Sequence, residues 1–169
     1  MQPVFETPRL ILQPRTLADT DECVAMDRDP LVTRFVDGPW SDARKHRAFV
    51  EARTLGPYPT GMGYWTIKSR NDAADFLGWV LLIPADAVGP EVEIGWRLPQ
   101  KAWGAGVATE AATVVLPHAF STLCLQEVVA EIDPLNLASI RVAEKLGLVR
   151  QGDVVVHGRA MVRYASMND

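Results

Sequence analysis

The chain has 169 residues, of which 48% are hydrophobic, and its formal net charge is −4. A chain of this size and composition can bury one substantial core, so we expect a single domain spanning residues 1–169. The negative charge argues against a sequence-independent nucleic-acid binder, which needs a basic face to displace counterions from phosphates.

The first third of the chain contains one strand pattern and two helix patterns. Residues 9–15 (RLILQPR) are predicted to form a strand, and residues 17–29 a helix that ends at the following proline. Ser41 or Asp42 can cap a second helix that runs to about Leu55, where GPYPTGMG breaks it.

A dense basic cluster, residues 44–47 (RKHR), lies near the start of the second predicted helix. Runs of charge on a helix usually form a solvated face. We therefore interpret this cluster as solvated surface.

Three strand patterns follow. Residues 63–69 and 75–84 are aromatic and β-branched, and the polar segment between them predicts two neighbouring antiparallel strands. Residues 91–98 form the third pattern. The remainder predicts a strand, a long helix, a strand, a helix and two short strands, and this interleaving indicates an α/β or α+β sheet protein.

The sequence contains no pattern typical of membrane proteins, disulfide frameworks or metal sites. No run of about eighteen apolar residues occurs, and the N-terminal segment lacks the pattern of a secretory signal. Cys23 and Cys124 are far apart and have no His or Cys neighbours at metal-ligand spacing. We expect a cytoplasmic protein that binds neither metal nor membrane.

A glycine-containing loop connects the third strand of this group to the long helix. The loop holds Gly104 and Gly106, and apolar residues recur at helical spacing from Ala108 onward. The first turn of a helix has backbone N–H groups without partners, and the helix dipole adds partial positive charge there. A pyrophosphate can bind at such an end, although glycine is also the ordinary solution for a tight turn.

Two segments resemble a known family. The segment IGWRLPQKAWGAGVATEA (residues 94–111) is similar to the central motif of the GNAT acyltransferases, and its WGxGxATEA form is typical of the RimJ/RimL-like branch. The segment at residues 132–152 resembles the family's strand followed by an N-x-x-S helix and K-x-G-[FL]. With TPRLILQPR at residues 7–15, the likeness covers most of the chain but is weak over residues 32–63.

The resemblance implies a fold, a donor and an acceptor. The fold would be a mixed, splayed central sheet of about seven strands flanked by about four helices. The donor would be acetyl-coenzyme A, bound between two diverging strands, and the acceptor a primary amine of a protein N-terminus or a small molecule. The resemblance also allows a homodimer.

The resemblance further implies which residues contact the coenzyme. Backbone N–H groups of the splayed strand would bind the pantetheine arm, and those of the loop the pyrophosphate. The residues placed against the coenzyme are Trp96, Arg97, Leu98, Trp103, Gly104, Ala105, Gly106, Val107, Ala108, Thr109 and Asn136.

Two residues are candidates for proton transfer. Strand alternation alone makes Glu93 a solvent-facing residue, whereas the resemblance makes it the base that accepts a proton from the attacking ammonium. Many relatives protonate the departing thiolate with a tyrosine, but Ala143 occupies that position here. Ser139 or a water molecule would replace it.

Two other hypotheses remain open at this point. The chain could be a catalytically silent module that binds acyl-coenzyme A, with Glu93 and Ser139 inactive. Alternatively, the glycine loop could serve packing alone in a non-enzymatic interaction protein.

Overall fold

The computed structural model of the chain describes residues 1–168 and contains one sheet of eight strands with four α-helices packed on its two faces. The predicted fold class is confirmed, with one two-residue strand in addition to the expected seven. The strands are β1 Phe5–Glu6, β2 Leu10–Pro14, β3 Gly63–Ser69, β4 Phe76–Pro84, β5 Val92–Arg97, β6 Glu127–Ile132, β7 Val149–Val156 and β8 Arg159–Met167. The helices are α1 Thr20–Asp27, α2 Ala43–Leu55, α3 Val107–Ser121 and α4 Leu137–Lys145.

The order of strands in the sheet is β1-β2-β3-β4-β5-β6-β8-β7. All neighbouring strands are antiparallel except β5 and β6, which are parallel. A parallel pair needs a crossover connection, and α3 supplies it. The loop and the first turn of that helix therefore lie at the end of β5, next to the parallel pair.

The helices divide between the two faces of the sheet. On one face α3 and α4 pack on a core that includes Trp65, Val80 and Ile94. On the other face α1 and α2 pack on a second core that includes Trp79 and Leu81. Residues of β5 alternate between these faces, so Ile94 and Trp96 face α3 and α4, whereas Glu93 and Arg97 face α1 and α2. Within residues 1–168, no helix is long and apolar enough to span a membrane.

The capped helix was predicted well, but part of its basic cluster is not solvated. Asp42 accepts hydrogen bonds from the N–H groups of Arg44 and Lys45, which fixes the start of α2. His46 is fully buried, with Nε2 3.1 Å from Oδ2 of Asp27 on α1. The cluster is therefore solvent-exposed except at His46, because the helix rotates every third or fourth residue toward the core.

Candidate active site

The two parallel strands at the centre of the sheet diverge. Glu93 and Val129 form the one ladder pair between β5 and β6 within the described residues. Beyond Glu93 the edge of β5 that faces β6 is therefore open toward the C-terminal end of the strand. Backbone groups along such an edge can bind an extended ligand as a neighbouring strand would.

The loop after β5 presents unpartnered amides at the same end. Gly104 and Gly106 have φ angles of 71° and 75°, in the left-handed region that favours glycine. The amide of Trp103 donates to Gln100 O, but those of residues 104–109 donate to no acceptor within residues 1–168. Six N–H groups without acceptors, in the loop and the first turn of the 15-residue helix α3, can bind an anion.

An ion pair from the start of the chain braces this loop. Arg9 donates through Nη2 to Ala105 O at 2.8 Å and through Nε to Glu110 Oε2 at 2.7 Å. Thr7 donates its hydroxyl to Glu110 Oε1 at 2.5 Å. Burial would raise the pKa of Glu110, but these hydrogen bonds lower it overall. Sequence reasoning missed this brace, although TPR and TEA both belong to segments that carry the family resemblance.

Glu93 lies at the point where the strands begin to diverge. It is half-buried on the α1–α2 face and has no hydrogen-bond or ion-pair partner within residues 1–168. Burial, and then the negative charges of Asp86 and Glu131, raise its pKa to about 7, while the positive charge of Arg53 opposes the rise. A carboxyl group with a pKa near neutrality can exchange a proton at physiological pH.

A glycine inside a strand often marks a bulge or a close backbone approach, but Gly95 forms no bulge. The β4–β5 register is continuous, with Leu81 opposite Gly95 and Ile83 opposite Glu93. Gly95 instead leaves the α1–α2 face of β5 without a side chain between Glu93 and Arg97. A ligand can therefore approach the strand backbone from that face.

Ser139 and Trp96 meet on the opposite face. The indole Nε1 of Trp96 donates to Ser139 Oγ at 3.3 Å. The Ser139 hydroxyl accepts this bond and keeps its own proton available. Ala143, one helical turn further along α4, is fully buried and offers no proton. Glu93 and Ser139 thus flank β5 from opposite sides.

Asn136 is the N-cap of α4. Its Oδ1 accepts a hydrogen bond from the Ser139 amide at 3.2 Å. That bond occupies the side-chain oxygen and leaves the NH₂ group free to donate. Asn136 therefore both fixes the start of the helix and presents a donor beside Ser139.

The other predicted coenzyme residues on β5 and the loop divide between the two faces. Arg97 points away from α3 and α4: Nη1 donates to buried Asp27 at 2.9 Å, and its guanidinium lies 5.2 Å from the Trp40 ring centroid and 5.0 Å from that of Trp79. Any contact of Arg97 with a ligand between β5 and β6 is limited to its backbone. Leu98 is buried, and its carbonyl accepts a hydrogen bond from Trp103 Nε1 at 2.9 Å.

A groove opens on the α1–α2 face near Glu93. Its volume is about 330 Å³, and its walls come from the end of α2, the turn at residues 56–58 and the turn that follows β4. Arg53, Tyr58 and Asp86 line it. Both Arg53 and Asp86 act on the pKa of Glu93, which places the carboxyl group within their electrostatic reach. A second groove, lined by Glu22, Pro99 and other residues, lies away from Glu93.

The arrangement can bind an anion at one end, an extended chain along the open strand edge, and a basic group beside Glu93. Within residues 1–168 no group of three or more His, Cys, Asp or Glu side chains is arranged to hold a metal ion. The chemistry that the described side chains support is proton transfer on either side of an extended ligand.

Sequence comparison identifies related proteins. The profile described as "Acetyltransferase (GNAT) domain" matches residues 9–149. The uncharacterized protein YkkB of Bacillus subtilis (strain 168) is 32% identical over 138 residues, which cover 79% of each chain. The FsC-acetyl coenzyme A-N(2)-transacetylase of Aspergillus fumigatus is 29% identical over 156 residues, covering 87% of this chain and 65% of that protein.

Solved structures share the architecture. The acetyltransferase from Agrobacterium tumefaciens str. C58 superposes with a TM-score of 0.83 at 26% identity, covering 98% of this chain and 95% of its own. RimL, the ribosomal L7/L12 alpha-N-protein acetyltransferase solved in complex with coenzyme A, superposes with a TM-score of 0.77 at 16% identity, covering 99% of both chains. At the latter identity the likeness concerns the fold alone.

Proposed function

Because the chain belongs to the acetyltransferase (GNAT) family, we propose that it transfers the acetyl group of acetyl-coenzyme A to a primary amine by direct attack within a ternary complex. The observation that carries this proposal is the combination, at one splayed strand pair, of six free amides at residues 104–109 and a carboxyl group with a pKa of about 7. The first suits a pyrophosphate and the second suits an amine.

The donor would bind where β5 and β6 diverge, on the side of the sheet that carries α3 and α4. The pyrophosphate accepts hydrogen bonds from the loop amides, which the Arg9–Glu110 brace holds in position. The pantetheine arm lies along the open edge of β5 beyond Glu93, where those backbone N–H groups of residues 94–98 that point away from β4 polarise the thioester carbonyl. Asn136 donates from its free NH₂ group to the same arm.

The acceptor would approach from the α1–α2 side. Glu93, as carboxylate, takes a proton from the ammonium, directly or through a water molecule. The free amine then attacks the thioester carbonyl and a C–N bond forms. The nitrogen releases its second proton to solvent, and the C–S bond breaks to give the amide and the thiolate of coenzyme A. No covalent acyl-enzyme forms, and the alignment of the two reactants supplies several kcal/mol of the barrier reduction, as is general for such reactions.

The leaving thiolate would take its proton on the opposite face. Ser139 is suited to this because Trp96 donates to its oxygen, which leaves the hydroxyl proton free for the sulfur. Ser139 then takes up a proton from solvent and regains its hydroxyl group. A thiolate with an ordinary pKa of about 8.5 is also a tolerable leaving group without an acid, so the contribution of Ser139 is modest.

The RimJ/RimL-like branch is part of the proposal. It rests on the WGxGxATEA motif and on the likeness in fold to RimL and to a structure described as a ribosomal-protein-serine acetyltransferase from Vibrio cholerae, which is 20% identical. This likeness makes a protein N-terminal amine one acceptor to test beside small amines, because a fold does not select a substrate.

A silent acyl-coenzyme A-binding module is the alternative. The observation that favours it is Ala143, which cannot protonate a thiolate. The raised pKa of Glu93 argues against it, because a half-buried carboxyl group without a hydrogen-bond partner reduces stability when ionised and serves no structural purpose.

The experiment has a binding arm and a transfer arm. We expect acetyl-coenzyme A to raise the melting temperature in a concentration-dependent manner, as any ligand of the native state does. We expect thiol release from acetyl-coenzyme A, together with acetylated product by mass spectrometry, for at least one acceptor in a panel of small amines and N-terminal peptides. Stabilisation without thiol release would favour the silent module, and no stabilisation would favour the interaction protein.

A further inference from the structure

The groove beside Glu93 has a positive and a negative end. Arg53 lines it from the last turns of α2, and Asp86 lines it from the turn after β4. Asp86 lies three residues beyond Ile83, the residue opposite Glu93 in the β4–β5 ladder. The charges of Asp86 and Arg53 both act on the pKa of Glu93, so these two groove residues lie within electrostatic range of its carboxyl group.

The guanidinium of Arg53 is held in place but has no acidic partner. It lies 5.4 Å from the ring centroid of Phe49, which also lines the groove. The backbone carbonyl of Arg53 accepts a hydrogen bond from the Tyr58 hydroxyl at 2.7 Å. No carboxylate within residues 1–168 forms an ion pair or a hydrogen bond with its side chain. A half-buried arginine that is positioned by an aromatic ring and lacks a counterion is suited to bind an anionic ligand.

A second cationic side chain, that of Arg15, lies behind the part of the groove wall that Tyr58 forms. Arg15 is 8% exposed, and its guanidinium lies 3.7 Å from the ring centroid of Tyr64, which in turn lies 6.1 Å from that of Tyr58. The Nε and Nη2 atoms of Arg15 are buried and have no hydrogen-bond partner among residues 1–168. Arg15 and Arg53 both act on the pKa of Tyr58, lowering it against the larger effect of burial. This end of the groove therefore carries the positive charge of Arg53, with that of Arg15 behind it.

The opposite end suits a cation. Asp86 is exposed and contacts His157 through Oδ2 at 2.7 Å, while its Oδ1 has no partner within residues 1–168. Glu93 has no side-chain partner within the described part of the chain. An ammonium group between these two carboxyl groups would stand at the entrance to the diverging strands, where the proposed transfer takes place.

We propose that the acceptor is a small amine that also carries a carboxylate, with Arg53 binding the carboxylate and the ammonium facing Asp86 and Glu93. The inference rests on the proposed function, whose substrate class it narrows. The groove volume of about 330 Å³ lies at the lower end of the range for small-molecule sites and fits an acceptor the size of an amino acid. Its apolar wall, which includes Phe49 and Pro57, suits an uncharged side chain.

The test compares acceptors that differ only in the carboxylate. The common L-amino acids, their carboxamides and short peptides with the same N-terminal residues are assayed by calorimetric binding to the coenzyme A complex and by thiol release from acetyl-coenzyme A. The variants are Arg53→Gln and, as a matched control on the same helix, Arg44→Gln, which removes the same charge from an exposed site without a side-chain contact.

We expect the wild-type protein to bind at least one amino acid about 10- to 100-fold more tightly than its carboxamide, which is the usual effect of one charge-assisted hydrogen bond. Arg53→Gln should abolish this preference, and Arg44→Gln should keep it. If Arg53 acts only by lowering the pKa of Glu93, the Arg53→Gln variant would transfer more slowly to carboxylates and carboxamides alike. That result would overturn the inference.

The inference and the proposed function can fail separately. Equal transfer to amino acids, carboxamides and peptides would overturn the inference and leave an N-acetyltransferase in place, with a protein N-terminus as the better acceptor. Carboxylate-dependent binding without thiol release would support the inference about the groove and contradict acetyl transfer. Absence of binding by every amino acid would overturn the inference.

Discussion

Replacing Glu93 with Gln removes one ionisable proton acceptor and changes little else, because the two side chains have nearly the same shape. If Glu93 takes the proton from the ammonium, kcat should fall about 100-fold or more, in the range typical of a general base. The dissociation constant of acetyl-coenzyme A should not change, because the free amides at residues 104–109 lie beyond the C-terminal end of β5, away from Glu93.

The same substitution should raise stability at alkaline pH. The pKa of Glu93 rises from 4.5 to about 7 on folding, so the folded state favours the neutral acid. The stabilisation from this neutral form is complete below the unfolded pKa and is lost as pH rises through the folded pKa. The full shift corresponds to about 3 kcal/mol, and because Glu93 is half-buried and partly screened we expect about 1–2 kcal/mol.

Two measurements check this reasoning. The kcat/KM of the wild-type protein should rise with pH and level off above about pH 7, whereas that of Glu93→Gln should be low and lack this step. Thermal unfolding should give equal melting temperatures near about pH 4, and near about pH 9 the variant should melt about 2–8 °C higher. A variant that retains wild-type turnover, or that melts lower at alkaline pH, would refute the assignment of Glu93 as an ionisable base.

Three further substitutions and one control substitution test the donor site. Gly104→Ala places a Cβ in open space but at a φ of 71°, so it should cost about 1 kcal/mol of stability and weaken acetyl-coenzyme A binding in calorimetry. Gly158→Ala, at a φ of 76° and also with open space, should cost similar stability without any loss of affinity, and equal affinities in both variants would contradict a phosphate-binding loop. Arg9→Gln removes the bonds to Glu110 and to the Ala105 carbonyl, so the KM for acetyl-coenzyme A should rise several-fold with kcat retained; an unchanged KM would show that the brace does not position the loop. Ser139→Ala should lower kcat up to about tenfold with little change in KM, and the loss should disappear above about pH 8.5, where the thiolate needs no acid; a pH-independent loss would assign Ser139 a structural role.

The local pattern of the sequence predicted much of the fold. Aromatic and β-branched residues predicted the strands that became β3 and β4, and Asp42 and Asn136 cap the helices where capping chemistry required. These features depend on neighbouring residues in the chain, so they can be read without knowing what packs against them. The glycine loop before a helix was predicted for the same reason.

Local patterns predicted less where a side chain's role depends on a distant partner. Periodicity assigned His46 to a solvated cluster, but the structure buries it beside Asp27 on another helix. The side chain of Arg97 also donates to Asp27, on the α1–α2 face, so only its backbone is left for a contact with the coenzyme. The Arg9–Glu110 brace likewise links residues 101 positions apart, which no local pattern encodes.

The amino-acid sequence by itself determined the secondary structure, the loop and the identity of Glu93 as a candidate base, since each follows from local geometry or from a motif. Only the tertiary structure decided that Glu93 and Ser139 flank β5 from opposite faces, that the loop amides are free, and that Arg53 and Asp86 line one groove near Glu93. The reason is physical: burial and the charges of residues far apart in the chain set the pKa of a side chain and leave a cation without a partner, and both arise only when the sheet has brought those residues together.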